Sequence, residues 1–177
     1  MSNKVPLILY SGGIDSTQLV VERLKQSEVD LLVITSVWIN RELHRQAELK
    51  ARQRFYKAAS GWYEEKAIPN EIRTIINVEL PYGFSHHQFS QPTIWITTAF
   101  NYLDRHKHSS VEMAYVTGDQ FAYFAKDVQK AWEMLWQAFN PGADLIPLKF
   151  PYLERVLCKE DVMKGWEEYH YNLTLVS

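Results

Sequence analysis

The sequence is short of residues that staple, span or break a chain. It holds one cysteine, Cys158, in 177 residues, so no disulfide can form within it, and a reducing cytoplasm is the expected setting. Charge of neither sign dominates: 19 Lys and Arg stand against 21 Asp and Glu, a formal net charge of −2. Nothing in that balance draws in bulk nucleic acid or an anionic membrane surface. No stretch reaches the ~20 apolar residues of a membrane span. The first residues lack the basic start and apolar run of a secretory signal. Glycine and proline, at seven each, form no low-complexity tract or linker, and no internal repeat is present.

What is present is apolar and aromatic. Hydrophobic residues make up 46% of the chain, with six Trp and ten Tyr, which suits a packed globular protein rather than a disordered one. The length fits one α/β domain over residues 1–177 and is too short for two ordinary ones.

Short apolar runs alternate with helical patterns along the chain. Strands are expected over 5–10, 30–37, 72–80, 111–116 and 144–149. Helices are expected from Asp15-Ser16-Thr17 onward, then over 41–59, 93–103, 127–139 and 159–169. The turns Pro81-Tyr82-Gly83 and Asn140-Pro141-Gly142 punctuate them. This alternation implies a parallel sheet covered on both faces, with ligands bound outside the carboxyl ends of the strands. The loops after the first, second and fourth strands then share one rim.

The sharpest feature is Ser11-Gly12-Gly13-Ile14-Asp15-Ser16-Thr17, directly after the first strand. Glycines let the backbone turn tightly and approach a ligand. Amides in such a turn, followed by a helix N-terminus, make a concave anion site suited to pyrophosphate. The loop is neither a Walker A sequence, since no lysine follows the glycines, nor the Gly-x-Gly-x-x-Gly dinucleotide pattern. An acidic residue in an anion loop makes sense with a cation: Asp15 could hold Mg²⁺, which binds through one or two carboxylates plus phosphates. The plainer reading is a βα turn in which Asp15 or Ser16 caps the helix.

Ser-Gly-Gly-x-Asp-Ser resembles the signature of the PP-loop ATP pyrophosphatase superfamily, whose members include NAD, GMP and asparagine synthetases, tRNA thiolases and 7-cyano-7-deazaguanine synthase. The resemblance implies a three-layer α/β parallel-sheet fold of the adenine-nucleotide alpha hydrolase-like (PP-loop, Rossmann-like) kind. It also implies ATP and Mg²⁺ as cofactors and an acceptor activated by adenylation with release of pyrophosphate. The layout looks most like the 7-cyano-7-deazaguanine synthase group of queuosine biosynthesis. Arg41 and His44 resemble the His- and Arg-containing segment after that family's second strand. Gly118-Asp119 and Asp127 resemble its turn, aspartate and helix after the fourth. Lys159, opening a helix after an extended segment, resembles its late lysine. The family's zinc-binding cysteine cluster has no counterpart in these 177 residues: Cys158 stands alone, and the sequence stops with the strand-like residues 173–177, so the cluster is cut off, lost or never existed in this branch, and no zinc is expected. The Tyr-Gly-Gln lead of the family is replaced by Trp38-Ile39-Asn40.

By that resemblance Ser11, Gly12, Gly13, Ile14, Asp15, Ser16, Thr17 and Gly118 bind ATP. Asp15 and Lys159 are catalytic, with Lys159 stabilising the leaving pyrophosphate. Arg41, His44, Asp119 and Asp127 meet the substrate, a small carboxylate such as a deazaguanine acid, which ammonia then attacks. An adenylating enzyme with a different acceptor, and an ATP-binding subunit without catalysis, stand as alternatives. A homodimer or a partner subunit is left open.

Each of these residues also has a plainer role. Arg41 and His44 share a helix face, as a solvated basic patch with Arg45, Lys50, Arg52 and Arg54 would. Lys159-Glu160-Asp161 reads equally as a polar helix start. Gly118-Asp119 also suits a turn. His86-His87 reads as a loop pair, because adjacent side chains diverge and no third ligand stands near. Trp132, Trp136 and Phe139 recur at helical spacing and are expected in the core, or else in a base pocket or subunit contact.

Overall fold

Six consecutive buried residues, Val5–Tyr10, form strand β1 at the centre of the molecule. The computed structural model describes residues 4–36, 42–80 and 91–167, apart from the side chains of 36, 42–44, 80, 91, 166 and 167. The remaining strands are β2 (Val29–Ser36), β3 (Ile72–Leu80), β4 (His108–Glu112) and β5 (Leu148–Lys149). They make one parallel sheet in the order β3-β2-β1-β4-β5. A parallel strand flanked on both edges and both faces has no polar side to show, which is why β1 reads as an unbroken apolar run. Its residues alternate between two cores. Leu7 and Leu9 meet Trp95, Trp132 and Trp136 on one face, while Ile8 and Tyr10 meet Val20, Phe55 and Tyr152 on the other.

Helices cover both faces: α1 (Ile14–Leu24), α2 (Glu42–Glu64), α3 (Gln91–Tyr102), α4 (Ala125–Phe139), α5 (Pro151–Glu154) and α6 (Lys159–Glu167). The second core buries Leu19 and Val20 of α1, Phe55 and Ala59 of α2, and Val162 of α6. The first buries Trp95 and Ile96 of α3 and Val128, Trp132 and Trp136 of α4. Phe139 is 70% exposed, so the aromatic stripe of α4 is core only through its second tryptophan.

Other expectations are corrected here. Strand β4 begins at His108 and ends at Glu112, earlier than the expected 111–116. The polar lead 104–110 concealed its start, because His108 and Ser110 are buried with polar partners, Asp30 and Glu112. Strand β5 shrinks from six expected residues to two, paired with Val111 and Glu112. Residues Ala122–Phe124 form a 3-10 turn ahead of α4, and α5, opened by Pro151, was not foreseen. Helix α2 runs on to Glu64 rather than 59.

β1 connects toward β2 on one side, and the chain later returns to β4 on the other. The crevice outside the carboxyl ends of β1 and β4 is therefore the topological switch point, where such sheets bind ligands.

Candidate active site

The loop leaving β1 is braced from within. Gly12 has φ +88°, a left-handed conformation open to glycine at little cost. Gly13 is the N-cap of α1, and its carbonyl accepts three bonds: Thr17 N–H at 3.0 Å, Thr17 Oγ1 at 2.8 Å and Ser16 Oγ at 3.0 Å. Ser11 Oγ lies 3.0 Å from Ser16 Oγ and accepts the Gly13 N–H at 3.2 Å. The Tyr10 hydroxyl reaches Thr17 Oγ1 at 3.1 Å. The first intrahelical bond is thus made by Thr17, and the amides of Ile14, Asp15 and Ser16 precede it at the positive end of the helix.

Two residues singled out separately in the sequence lie side by side. Lys159 Nζ lies 2.8 Å from Asp15 Oδ2 across 144 positions of chain. Lysine is poorly suited to a helix start, yet Lys159 opens α6 and directs its charge to the β1 loop. The start of α6 is held by Asp161, whose Oδ2 accepts the Cys158 N–H at 3.1 Å, half of a capping box. Hydrogen bonding to the carboxylates of Asp161 and then Glu160 pushes the Cys158 thiol up, away from thiolate reactivity. The second oxygen of Asp15, Oδ1, is buried and has no hydrogen-bond partner. An orphaned carboxylate oxygen costs free energy unless a donor or cation completes it.

A cleft of about 300 Å³ opens in front of the loop. Ser11, Gly13, Asp15 and Ser16 form one wall, and Trp95, Met113, Tyr115, Asp119 and Phe121 form another. The Tyr115 ring stacks on Phe150 with centroids 5.8 Å apart and leans on Phe121 at 5.9 Å. Burial pushes its phenol up, with the Asp119 charge adding to the effect. One side of the cleft is therefore polar, and the other presents aromatic faces.

The other sequence candidates sit at varying distances from this cleft. Asp119 is on its wall, with Oδ2 accepting the Val116 N–H at 2.9 Å. Gly118 turns the chain beside it at φ +97°, exposed to solvent. Thr17 is fully buried behind the loop, and Gly12 and Ile14 are not wall residues. Asp127 is exposed in the first turn of α4 and is not on the cleft wall. Arg41, the side chain of His44, the loop after β2 and His86-His87 lie outside the described residues. Among the described residues no three His, Cys, Asp or Glu side chains converge on a metal position.

Sequence reading missed Arg52. Grouped there with a solvated basic patch, it is only 2% exposed, and its guanidinium reaches the Ser11 carbonyl at 3.1 Å and Thr35 Oγ1 at 3.0 Å. Its signal was positional, since Arg52, Phe55 and Ala59 recur at one helical stripe and the latter two are core. Trp95, Tyr115 and Phe121 were missed for want of any local motif.

No protein-family profile matches this sequence, and no curated protein matches it. Among solved structures, the chain is similar to the U34-tRNA thiolase NcsA from Methanococcus maripaludis, seen with its [4Fe-4S] cluster. The TM-score is 0.51 at 13% sequence identity, over 97% of this chain and 58% of the thiolase chain. This chain thus spans little more than half the length of that protein. The likeness bears on the fold and does not single out the 7-cyano-7-deazaguanine synthase group. With the parallel order β3-β2-β1-β4-β5, it establishes an α/β fold of the adenine-nucleotide alpha hydrolase-like kind.

Proposed function

We propose that the chain binds MgATP in the cleft after β1 and adenylates an acceptor, releasing pyrophosphate. The observation that carries this reading is the Ser11-Gly12-Gly13-Ile14-Asp15-Ser16 loop at the switch point, with the Lys159 ammonium 2.8 Å from Asp15 at its lip. The amides that open α1 suit phosphate oxygens, and the aromatic wall of Trp95, Tyr115 and Phe121 suits a purine. Mg²⁺ fits the donor set: the orphaned Asp15 Oδ1 offers one carboxylate oxygen, and Mg²⁺ takes its other ligands from phosphates and water. When bound, Mg²⁺ neutralises phosphate charge. Asp15 would hold it, and Lys159 would turn from Asp15 toward the phosphates as charge builds on the leaving pyrophosphate. Gly118 flanks the same rim. Asp119 would orient ribose or acceptor, with Arg41 and His44 as further acceptor contacts, whereas Asp127 stands off the cleft wall.

The acceptor proposed is a carboxylate, with the deazaguanine acid as the first candidate and ammonia as the incoming nucleophile. A different acceptor, such as the tRNA on which the similar thiolase acts, is the second reading. Against a close parallel, Cys158 is the one cysteine in the 177 residues, and iron–sulfur clusters of that type are held by several cysteine thiolates. The test is incubation with ATP, Mg²⁺, ammonium and 7-carboxy-7-deazaguanine, separating AMP, ADP and pyrophosphate. Acid-dependent AMP and pyrophosphate are expected. ADP and phosphate would overturn the cleavage position, and ATP binding without turnover would redirect the reading to another acceptor or a non-catalytic subunit.

A further inference from the structure

Arg52 is a charged side chain in a place that water hardly reaches. It is 2% exposed, and burying a guanidinium is costly unless bonds and charge compensate. The carboxylate paired with it, Glu48, stands 3.7 Å away and is 40% exposed, which is weak compensation. Its short bonds go to neutral oxygens instead: the Ser11 carbonyl at 3.1 Å and Thr35 Oγ1 at 3.0 Å. The side chain also lies against the back of the loop, since a Cβ added to Gly12 would fall 2.8 Å from Arg52 Cγ. The cleft wall includes Ser11 and Gly13 but not Arg52. The charge is therefore behind the loop rather than in the cleft.

We propose that Arg52 is a positioning residue of the phosphate loop: it holds the Ser11 carbonyl back, fixes the left-handed turn at Gly12, and lends a buried positive charge to an anion bound on the opposite side. The Ser11 carbonyl would otherwise be free to swing toward the cleft, where an oxygen repels phosphate. Because the guanidinium is shielded from solvent, its field is weakly screened by water and salt. A guanidinium also keeps its charge where an ammonium can lose it. The cost of the buried charge is offset when the phosphate arrives. This inference rests on the phosphate-binding reading of the loop.

The test measures binding of inorganic pyrophosphate and of adenosine by calorimetry, well below the unfolding midpoint, for wild type, Arg52→Met and Arg52→Lys. Arg52→Met should weaken pyrophosphate by about tenfold or more, the scale of a unit charge acting across a thin loop with little screening. Adenosine affinity should stay within about twofold, since Arg52 is outside the wall, and Arg52→Lys should recover part of the loss. A merely structural role would lower the melting temperature and leave both affinities unchanged in the folded variants, which would overturn the inference. If Arg52→Met does not fold, Thr35→Val removes one anchor of the guanidinium. A severalfold loss for pyrophosphate alone is then expected, and unchanged pyrophosphate binding would overturn the proposal. Failure of the wild type to bind pyrophosphate or ATP would instead sink the phosphate-site reading itself.

Discussion

Asp15 has two oxygens in different circumstances: Oδ2 meets Lys159 at 2.8 Å, and Oδ1 is buried without a partner. The ion pair is half open to solvent, with the lysine side chain 49% exposed, so it adds at most about 1 kcal/mol to stability. Under the proposed function, Oδ1 is the oxygen that Mg²⁺ would take. Asp15→Asn should therefore change unfolding free energy by no more than about 1 kcal/mol. It should also abolish the gain in ATP affinity that Mg²⁺ confers on the wild type. Calorimetric titration with and without Mg²⁺ checks this, and a retained Mg²⁺ effect would remove Asp15 from the metal site. Gly12 shows a second residue-scale constraint, because both its φ of +88° and the proximity of Arg52 exclude a side chain.

Among the elements, α4 illustrates how one stripe of aromatics divides. Trp132 is fully buried and donates its Nε1–H to the Ile146 carbonyl at 2.7 Å, with Phe100 edge-on at 5.4 Å. Trp136 is 4% exposed, whereas Phe139 is 70% exposed. Trp132→Ala should destabilise by about 3–5 kcal/mol, through cavity formation and an orphaned carbonyl. Phe139→Ala should cost about 1 kcal/mol or less. Urea unfolding of the two variants measures the contrast, and equal losses would contradict the burial of the helix. Helix α6 shows a different device. At Gly165 an added Cβ would come within 2.6 Å of Nε2 at the end of the Gln18 side chain, so α6 lies close against α1 at this position.

Taken whole, the molecule has a polar clamp at the end of the sheet opposite the cleft. Asp30 at the start of β2 receives Arg73 of β3 through two bonds, at 2.9 and 2.6 Å, and lies 3.0 Å from His108 Nε2 of β4. His108 Nδ1 accepts the Asp104 N–H at 2.9 Å, so the neutral ring is fully bonded and a second proton would displace that amide. Burial drives the His108 ring down from its ordinary value, outweighing the attraction of Asp30. For Asp30, burial would raise the carboxyl, but the Arg73 and His108 bonds prevail and hold it low. A histidine depressed in the folded state contributes stability that is whole above its unfolded value of about 6.5 and is lost as pH falls through the folded value. The Asp30 contribution is whole above about 3.9 and is lost below it in the same direction. Urea midpoints should therefore decline from pH 7.5 to pH 5, and His108→Gln should flatten that decline. A midpoint independent of pH in the wild type would contradict the clamp.

Much of this was legible along the chain. The apolar run of β1, the glycine pair after it and the alternation of strands and helices determined a parallel α/β sheet with a glycine turn and a helix start at its rim, because each depends on neighbours in sequence: burial pattern, backbone freedom at glycine, helix-start chemistry. β3 was readable for the same reason, and its bounds at Ile72–Leu80 agree. The start of β4 was not, since a buried His108 looks like a loop residue until Asp30, 78 positions away, supplies its partner. Arg52 was hidden in the same way: its charge suggested solvent, and only the folding of α2 against β1 brings it under the Ser11 carbonyl. Lys159 and Asp15 were each visible as candidates, but their 2.8 Å contact depends on α6 packing against α1. Local chemistry and periodicity are written in the order of residues. Charge compensation, aromatic walls and the fate of a buried polar group are settled by what the sheet brings together from distant parts of the chain.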